Sequence, residues 1–245
     1  MSRKILKVKD KNDSYYKKMD NYLWDLPLRL LIVGKSQNSC GKTSIILNLL
    51  LRKEFYSGMW KPENIFIISN NKLDNKLAIL AKQLDIPSEN IMKYDEDDVT
   101  DIYEQLEEEF IESTQQKKKP NHSLILFDDC GYTNSLKNKE AGIITRLISN
   151  GRHALISQIY SIQSFKMAST TLRRQVNGAI LASCPAKELD MIADEYSYCE
   201  KKTTFIKEFR KATEKPYSFF ALNFTNGGIK DGLYLDSEFK PIKMN

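Results

Sequence analysis

Between the apolar run Leu28 to Val33 and the helical run Ser44 to Leu51 stand eight residues, Ser36-Gln37-Asn38-Ser39-Cys40-Gly41-Lys42-Thr43. A strand, a polar loop ending in Gly-Lys-Thr and a helix, in that order, form the layout of a nucleotide-binding P-loop. In such a loop the backbone N–H groups of Ser36, Gln37, Asn38, Ser39, Cys40, Gly41 and Ser44 wrap phosphate, and the helix N-terminus behind it favours negative charge. Lys42 reaches the β and γ oxygens of ATP, and the Thr43 hydroxyl ligates Mg2+. The pattern asks for glycine five positions before Gly41, where Ser36 stands instead; the nearest upstream glycine is Gly34. A serine adopts a left-handed turn there at about 1–2 kcal/mol. The alternative is an ordinary polar strand-to-helix connection that happens to contain Gly-Lys-Thr.

The rest of the chain alternates short apolar runs with longer amphipathic ones, the βαβ rhythm of a mostly parallel sheet. Strands are expected at Leu28–Val33, Asn64–Ser69, Ile91–Tyr94, Ser123–Phe127, Ala154–Ile162 and Ala179–Ser183. Helices are expected at Thr43–Phe55, Leu73–Leu84, Glu140–Ser149 and Thr171–Val176, with another from Lys187 to about Tyr198. One more opens on the acidic segment Asp95 to Asp98, with Val99, Ile102, Tyr103, Leu106 and Phe110 on one face, and closes at Lys117-Lys118-Lys119-Pro120. A basic helix over Thr203–Lys211 and closing strands at Tyr217–Phe224 and Leu233–Leu235, around a Gly227-Gly228 turn, complete the pattern. The expected organisation is an arm over residues 1–27, a P-loop core over 28–200 and an extension over 201–245 that packs on it. Phe205 and Phe209, four apart, read as a core-facing stripe with Lys207, Arg210 and Lys211 solvated behind them, in preference to a pore lining.

Leu124-Ile125-Leu126-Phe127-Asp128-Asp129 is four apolar residues ending in two carboxylates, the Walker B arrangement. A buried parallel strand delivers Asp128 to the carboxyl edge of the sheet, where it holds Mg2+ through water, and sets Asp129 to polarise an attacking water. The strand candidate Asn64–Ser69 falls between Thr43 and Asp128, which gives an additional-strand layout, and tandem carboxylates favour hydrolysis over phosphoryl transfer. A strand that ends at glutamine, Gln163, next to the Walker B strand sets an amide against the γ-phosphate or the lytic water, as a sensor. Arg152, at the turn before that strand, is a candidate trans-acting finger for a neighbouring subunit, a contribution of about 10³–10⁵ in rate. A surface ion pair is its alternative role, and Arg173 and Arg174 compete for the finger.

Composition narrows the field. Hydrophobic residues are 41% of 245 and charged residues 28%, which suits one large globular α/β domain with or without a small appendage. No stretch approaches the ~18 apolar residues of a membrane span, and no secretory signal is evident, so an intracellular, soluble protein with no membrane association is expected. The net charge of +5 is compatible with a polyanionic partner without identifying one. Cys40, Cys130, Cys184 and Cys199 lack zinc-site spacing, and His122 and His153 are the only histidines, which leaves little material for histidine-based metal catalysis.

Gly41-Lys42-Thr43, Phe127-Asp128-Asp129, Gly151-Arg152-His153 and Gln163-Ser164 followed by Leu172-Arg173 together resemble the poxvirus-type DNA-packaging ATPases of the FtsK–HerA superfamily. The resemblance covers residues 28 to 183. It implies an α/β P-loop NTPase of the additional-strand, RecA-like type, with a mostly parallel central sheet flanked by helices. It also implies an ATP- and Mg2+-dependent motor, assembled as a pentameric or hexameric ring, that drives double-stranded DNA into a preformed capsid. Its partners would be DNA, further copies of itself and capsid or portal proteins, and its place the host cytoplasm, in a viral factory or with the virion. In that scheme Lys42 and Thr43 hold nucleotide, Asp128 the metal, Asp129 is the catalytic carboxylate, Gln163 the sensor and Arg152 the finger. Ser36, and an aspartate at 129 where these motors more typically carry glutamate, depart from the pattern and bear on turnover more than on binding. A P-loop kinase for a small acceptor and a non-hydrolysing nucleotide-dependent scaffold are the rival readings.

Overall fold

Strands that are buried along nearly their whole length need cover on both faces, and the central strands here are of that kind. In the computed structural model, residues 11–20, 22–35, 40–70, 75–130, 142–225 and 233–244 are described. The strands β1 Arg29–Val33, β2 Ile65–Ser69, β3 Ile91–Lys93, β4 Ser123–Asp128, β5 Ile156–Ile162, β6 Gly178–Leu181, β7 Phe220–Asn223 and β8 Tyr234–Leu235 join in one sheet. Its order is β3-β2-β4-β5-β1-β6-β7-β8. Every pairing from β3 to β6 is parallel, whereas β7 and β8 add antiparallel strands at one edge.

The alternation of side chains along each strand sorts the core into two layers. On one face Leu30, Ile32, Ile65, Ile67, Leu124 and Leu126 meet α1 Lys42–Leu51 and α2 Asn75–Gln83. On the other, Leu31, Val33, Phe66, Ile125 and Phe127 meet the remaining helices. These are α3 Glu96–Gln115, α4 Ile143–Asn150, α5 Thr170–Gln175, α6 Ala186–Tyr196 and α7 Lys202–Ala212.

The α3 start follows its acidic sequence: Asp95 is the N-cap and accepts the N–H groups of Asp97 and Asp98 at 2.9 and 3.3 Å. Lys117, at φ 56, sits just past the end of that helix, where the expected stop falls. Phe205 and Phe209 are fully buried, so α7 turns its aromatic stripe to the core as expected.

Two expectations differ from the structure. Ile65–Ser69 lies beyond β4, and the strand inserted between β1 and β4 is β5, the one that leads to Gln163. The helix expected to reach Phe55 stops at Leu51, because Arg52 turns to extended backbone and sends Phe55 and Tyr56 back onto the core. Ser36 to Ser39, Leu73, the start of the helix expected at Glu140 and the Gly227-Gly228 turn lie outside the described residues. The described part of the arm packs on the sheet: Trp24 is fully buried and donates its indole N–H to the Leu222 carbonyl at 2.7 Å.

Candidate functional site

At the carboxyl end of β1 the chain passes Gly34 and re-enters the described residues at Cys40, then Gly41, before α1. Gly41 is left-handed, at φ 63 and ψ 33, a conformation that glycine adopts without a Cβ penalty. It is also the N-cap of α1, and no described side chain caps the helix. The start of a helix carries N–H groups that no turn before it can satisfy, and the helix dipole makes an anion a favoured acceptor there.

Lys42, first in that helix, is 8% exposed and donates from Nζ to the Gly34 carbonyl at 2.7 Å. Among the described residues it makes no ion pair. A buried ammonium that has only a neutral carbonyl pays for desolvation without a counter-charge, so the site as built calls for an anion.

Register then fixes what faces this loop. Asp128 pairs with Ser161 of β5 on one side and Ser69 of β2 on the other, and Ser161 pairs in turn with Ile32 of β1. Ile32, Leu126 and Ile159 all belong to the α1-side core, so by the two-residue alternation Ser69, Asp128 and Ser161 point to that same face. Asp128 is thus two strand spacings, about 10 Å, from the end of β1 and on the side where α1 begins. Ser161 is fully buried and its Oγ has no hydrogen-bond partner among the described residues. A hydroxyl orphaned in that row, between β1 and β4, fits a bound group with hydrogen-bonding atoms.

The donor set suits magnesium, since a hydroxyl at Thr43 and a carboxylate at Asp128 are hard oxygen ligands, and substrate phosphates and water complete such shells. No cluster of three or more acidic, histidine or cysteine side chains able to hold a metal occurs among the described residues.

Asp129 continues past the strand with φ 52, and its N–H donates to the Ser161 carbonyl at 2.9 Å. Its carboxylate accepts from Gln163 Nε2 at 2.9 Å to both oxygens. Two carboxylate contacts require the NH2 end of the amide at that position, so the orientation of Gln163 follows from the chemistry. Gln163, at the end of β5, therefore meets Asp129, where sequence pointed to the nucleotide. The next turn is anchored as well, since Ser164 Oγ and the Phe165 N–H both donate to the buried Glu188. Behind Asp128, burial and the two adjacent carboxylates push the Cys130 thiol up to about 12, so it stays neutral and donates to the Asp128 and Ile68 carbonyls.

The arginines separate clearly. Arg152 lies in the turn that precedes β5, at the amino end of the sheet, seven strand residues away from Gln163. It is exposed and contacts His153 at 3.4 Å. Arg173 is engaged inside the subunit, 3.0 Å from Glu195 and stacked over the Phe165 ring at 4.8 Å. Arg174 is largely exposed, 3.8 Å from the same carboxylate. Of the residues named from sequence, Lys42, Thr43, Asp128, Asp129 and Gln163 share the carboxyl edge, and Arg152 does not. Ser69 and Ser161 were missed. Their only signal was a serine inside, or ending, an otherwise apolar strand.

The sequence profile of the family described as Poxvirus A32 protein matches residues 16–220. The fold is similar to that of the genome packaging NTPase B204 from Sulfolobus turreted icosahedral virus 2 in complex with ATP-gammaS. That match has a TM-score of 0.54 at 15% identity, over 89% of this chain and 99% of that one. It is likewise similar to B204, the DNA-packaging ATPase from Sulfolobus turreted icosahedral virus, with a TM-score of 0.55 at 16% identity over 89% and 99%. No curated protein matches the chain significantly. No helix among the described residues is long and apolar enough to cross a membrane.

Proposed function

The chain belongs to the Poxvirus A32 protein family, and from that premise we propose that it is an ATPase that couples hydrolysis to the movement of double-stranded DNA into a preformed capsid. The observation that carries the reading is the buried Lys42 ammonium, with no ion pair among the described residues, at a helix start that no described side chain caps, on the same sheet edge as Asp128. Support for ATP as the occupant comes from B204, a viral packaging NTPase of the same fold that binds ATP-gammaS at such low identity.

In this reading the helix N-terminus and Lys42 hold the phosphates, and Thr43 and Asp128 hold Mg2+. The metal, when bound, neutralises charge on the phosphate oxygens. Asp129 accepts the proton of the water that attacks the γ-phosphorus; the bond to the β–γ bridging oxygen breaks, and ADP and phosphate leave. Gln163 fixes the direction of the Asp129 carboxylate. Arg152, exposed at the opposite end of the sheet, is offered to the nucleotide of the next subunit in a ring of five or six; Arg174 is the competing donor. DNA, capsid or portal proteins and a site in the host cytoplasm or virion complete the proposal.

Gln163→Ala is expected to reduce turnover about 10²-fold, the usual penalty for a misplaced catalytic group, with ATP affinity unchanged. Single-turnover phosphate release and equilibrium nucleotide binding separate the two effects.

The function itself is tested by phosphate release from wild type and Lys42→Ala, with and without duplex DNA, over a range of protein concentrations. Turnover stimulated by DNA, rising with subunit concentration and lost in Lys42→Ala, is the expected result. Turnover indifferent to DNA and dependent on a small phosphoryl acceptor would replace the motor by a kinase.

A further inference from the structure

Beside the phosphate loop, on the outer side of α1, lies a cavity of about 270 Å³ that begins at Cys40, Gly41 and Ser44. Its floor is apolar, formed by Ile45, Phe219 and Phe239, the last two with rings 5.6 Å apart at 65°. Asn48 and Arg52 supply polar atoms along the α1 wall. Tyr217 closes one side. A Cβ placed on Gly41 would lie 3.3 Å from the Cδ1 and 3.8 Å from the Cε1 of that ring, so the aromatic face adjoins the backbone of the phosphate loop.

Two properties of Tyr217 are unusual together. It is 67% exposed, more than any other large hydrophobic side chain among the described residues. Its backbone is left-handed, at φ 62, which is an outlier for a bulky residue and the kind of strain that persists where a function needs it. Tyr217 is the third residue of a turn that holds it there, since the Ser218 N–H and Oγ both donate to the Lys215 carbonyl.

We propose that this cavity receives the base of the nucleotide and that Tyr217 stacks on its face. The inference rests on the phosphate reading of Lys42 and adds the other end of the ligand. A volume of about 270 Å³ is small for a complete ligand site, which runs about 300–1,000 Å³, and suits a base whose phosphates lie outside on the loop. The geometry is continuous, because the residues flanking Lys42 and Thr43 are themselves walls of the cavity. A ring this exposed, in no ring-to-ring contact among the described residues, contributes little to the fold and is available to a planar group.

The experiment compares affinities for ATP and for inorganic tripolyphosphate, which has no base, in wild type, Tyr217→Ala, Tyr217→Phe and Lys42→Ala. Tyr217→Ala is expected to weaken ATP about tenfold or more, with tripolyphosphate unchanged and the melting temperature retained. Tyr217→Phe keeps the ring and is expected to bind both as wild type does. Lys42→Ala should weaken both ligands; if it spares tripolyphosphate, the phosphate assignment fails on its own account. Unchanged ATP affinity in Tyr217→Ala, or equal losses of ATP and tripolyphosphate, would overturn the stacking assignment.

Discussion

Asp129→Asn is expected to slow ATP hydrolysis about 10²–10⁴-fold while leaving nucleotide affinity and melting temperature near wild type. The substitution is matched to its surroundings. Asparagine adopts the left-handed backbone as readily as aspartate, so the φ of 52 is retained. Its amide oxygen still accepts from Gln163 Nε2, which now makes one of the two 2.9 Å contacts. The negative charge goes, and with it the capacity to take a proton. Rapid-quench measurement of a single turnover, beside equilibrium binding of a slowly hydrolysed analogue, reads the two quantities apart. A turnover rate within a few-fold of wild type would remove Asp129 from the chemistry and leave it as the residue that terminates β4.

Gly178→Ala is expected to destabilise the fold by about 3–5 kcal/mol, from overpacking together with loss of a buried hydrogen bond. A Cβ at this position in β6 would stand 2.0 Å from Trp24 Nε1, 2.3 Å from its Cδ1 and 2.5 Å from its Cε2. The indole is fully buried and cannot retreat without breaking its 2.7 Å bond to the Leu222 carbonyl on β7. That acceptor would then be left without its indole partner in the core. Against a total stability of about 5–15 kcal/mol, this is a large share, worth about 10 °C in melting temperature for a domain of this size. In a Trp24→Ala background, already weakened by the lost indole, adding Gly178→Ala should cost little, and the coupling in the double-mutant cycle measures the contact. Calorimetry or chemical denaturation of the four proteins decides it; an undiminished melting point for Gly178→Ala alone would show that the indole is mobile.

Much of the site could be read along the chain because its determinants are local. The strand-loop-helix order around Lys42, the apolar run that delivers Asp128, and the acidic cap at Asp95 depend on neighbours within a few residues. Periodicity also sorted Phe205 and Phe209 inward. What could not be read depends on distant partners. That β5 lies beside β4 agrees with the sequence reading, but that β5 and not Ile65–Ser69 is the strand inserted between β1 and β4 is a property of sheet order, for which a buried strand carries no local label. Gln163 lies 34 residues from Asp129, so the amide-to-carboxylate contact that redefines its part in the site has no local signal. The same holds for Trp24 over Gly178 and for Tyr217 beside Gly41, where segments more than 150 residues apart meet. Helix α1 ended early because Phe55 and Tyr56, which fit a continued helical stripe, gain more by folding back onto the α1-side core.

The proposed motor requires a triphosphate, with magnesium, between the Lys42 ammonium and the Asp128 carboxylate. Its most direct test is a structure determined with Mg2+ and ATP-gammaS. In that structure Lys42 Nζ is expected to leave the Gly34 carbonyl for the β- and γ-phosphates, with the metal held by Thr43 and Asp128. Nucleotide bound elsewhere on the molecule, with Lys42 still on Gly34, would contradict it.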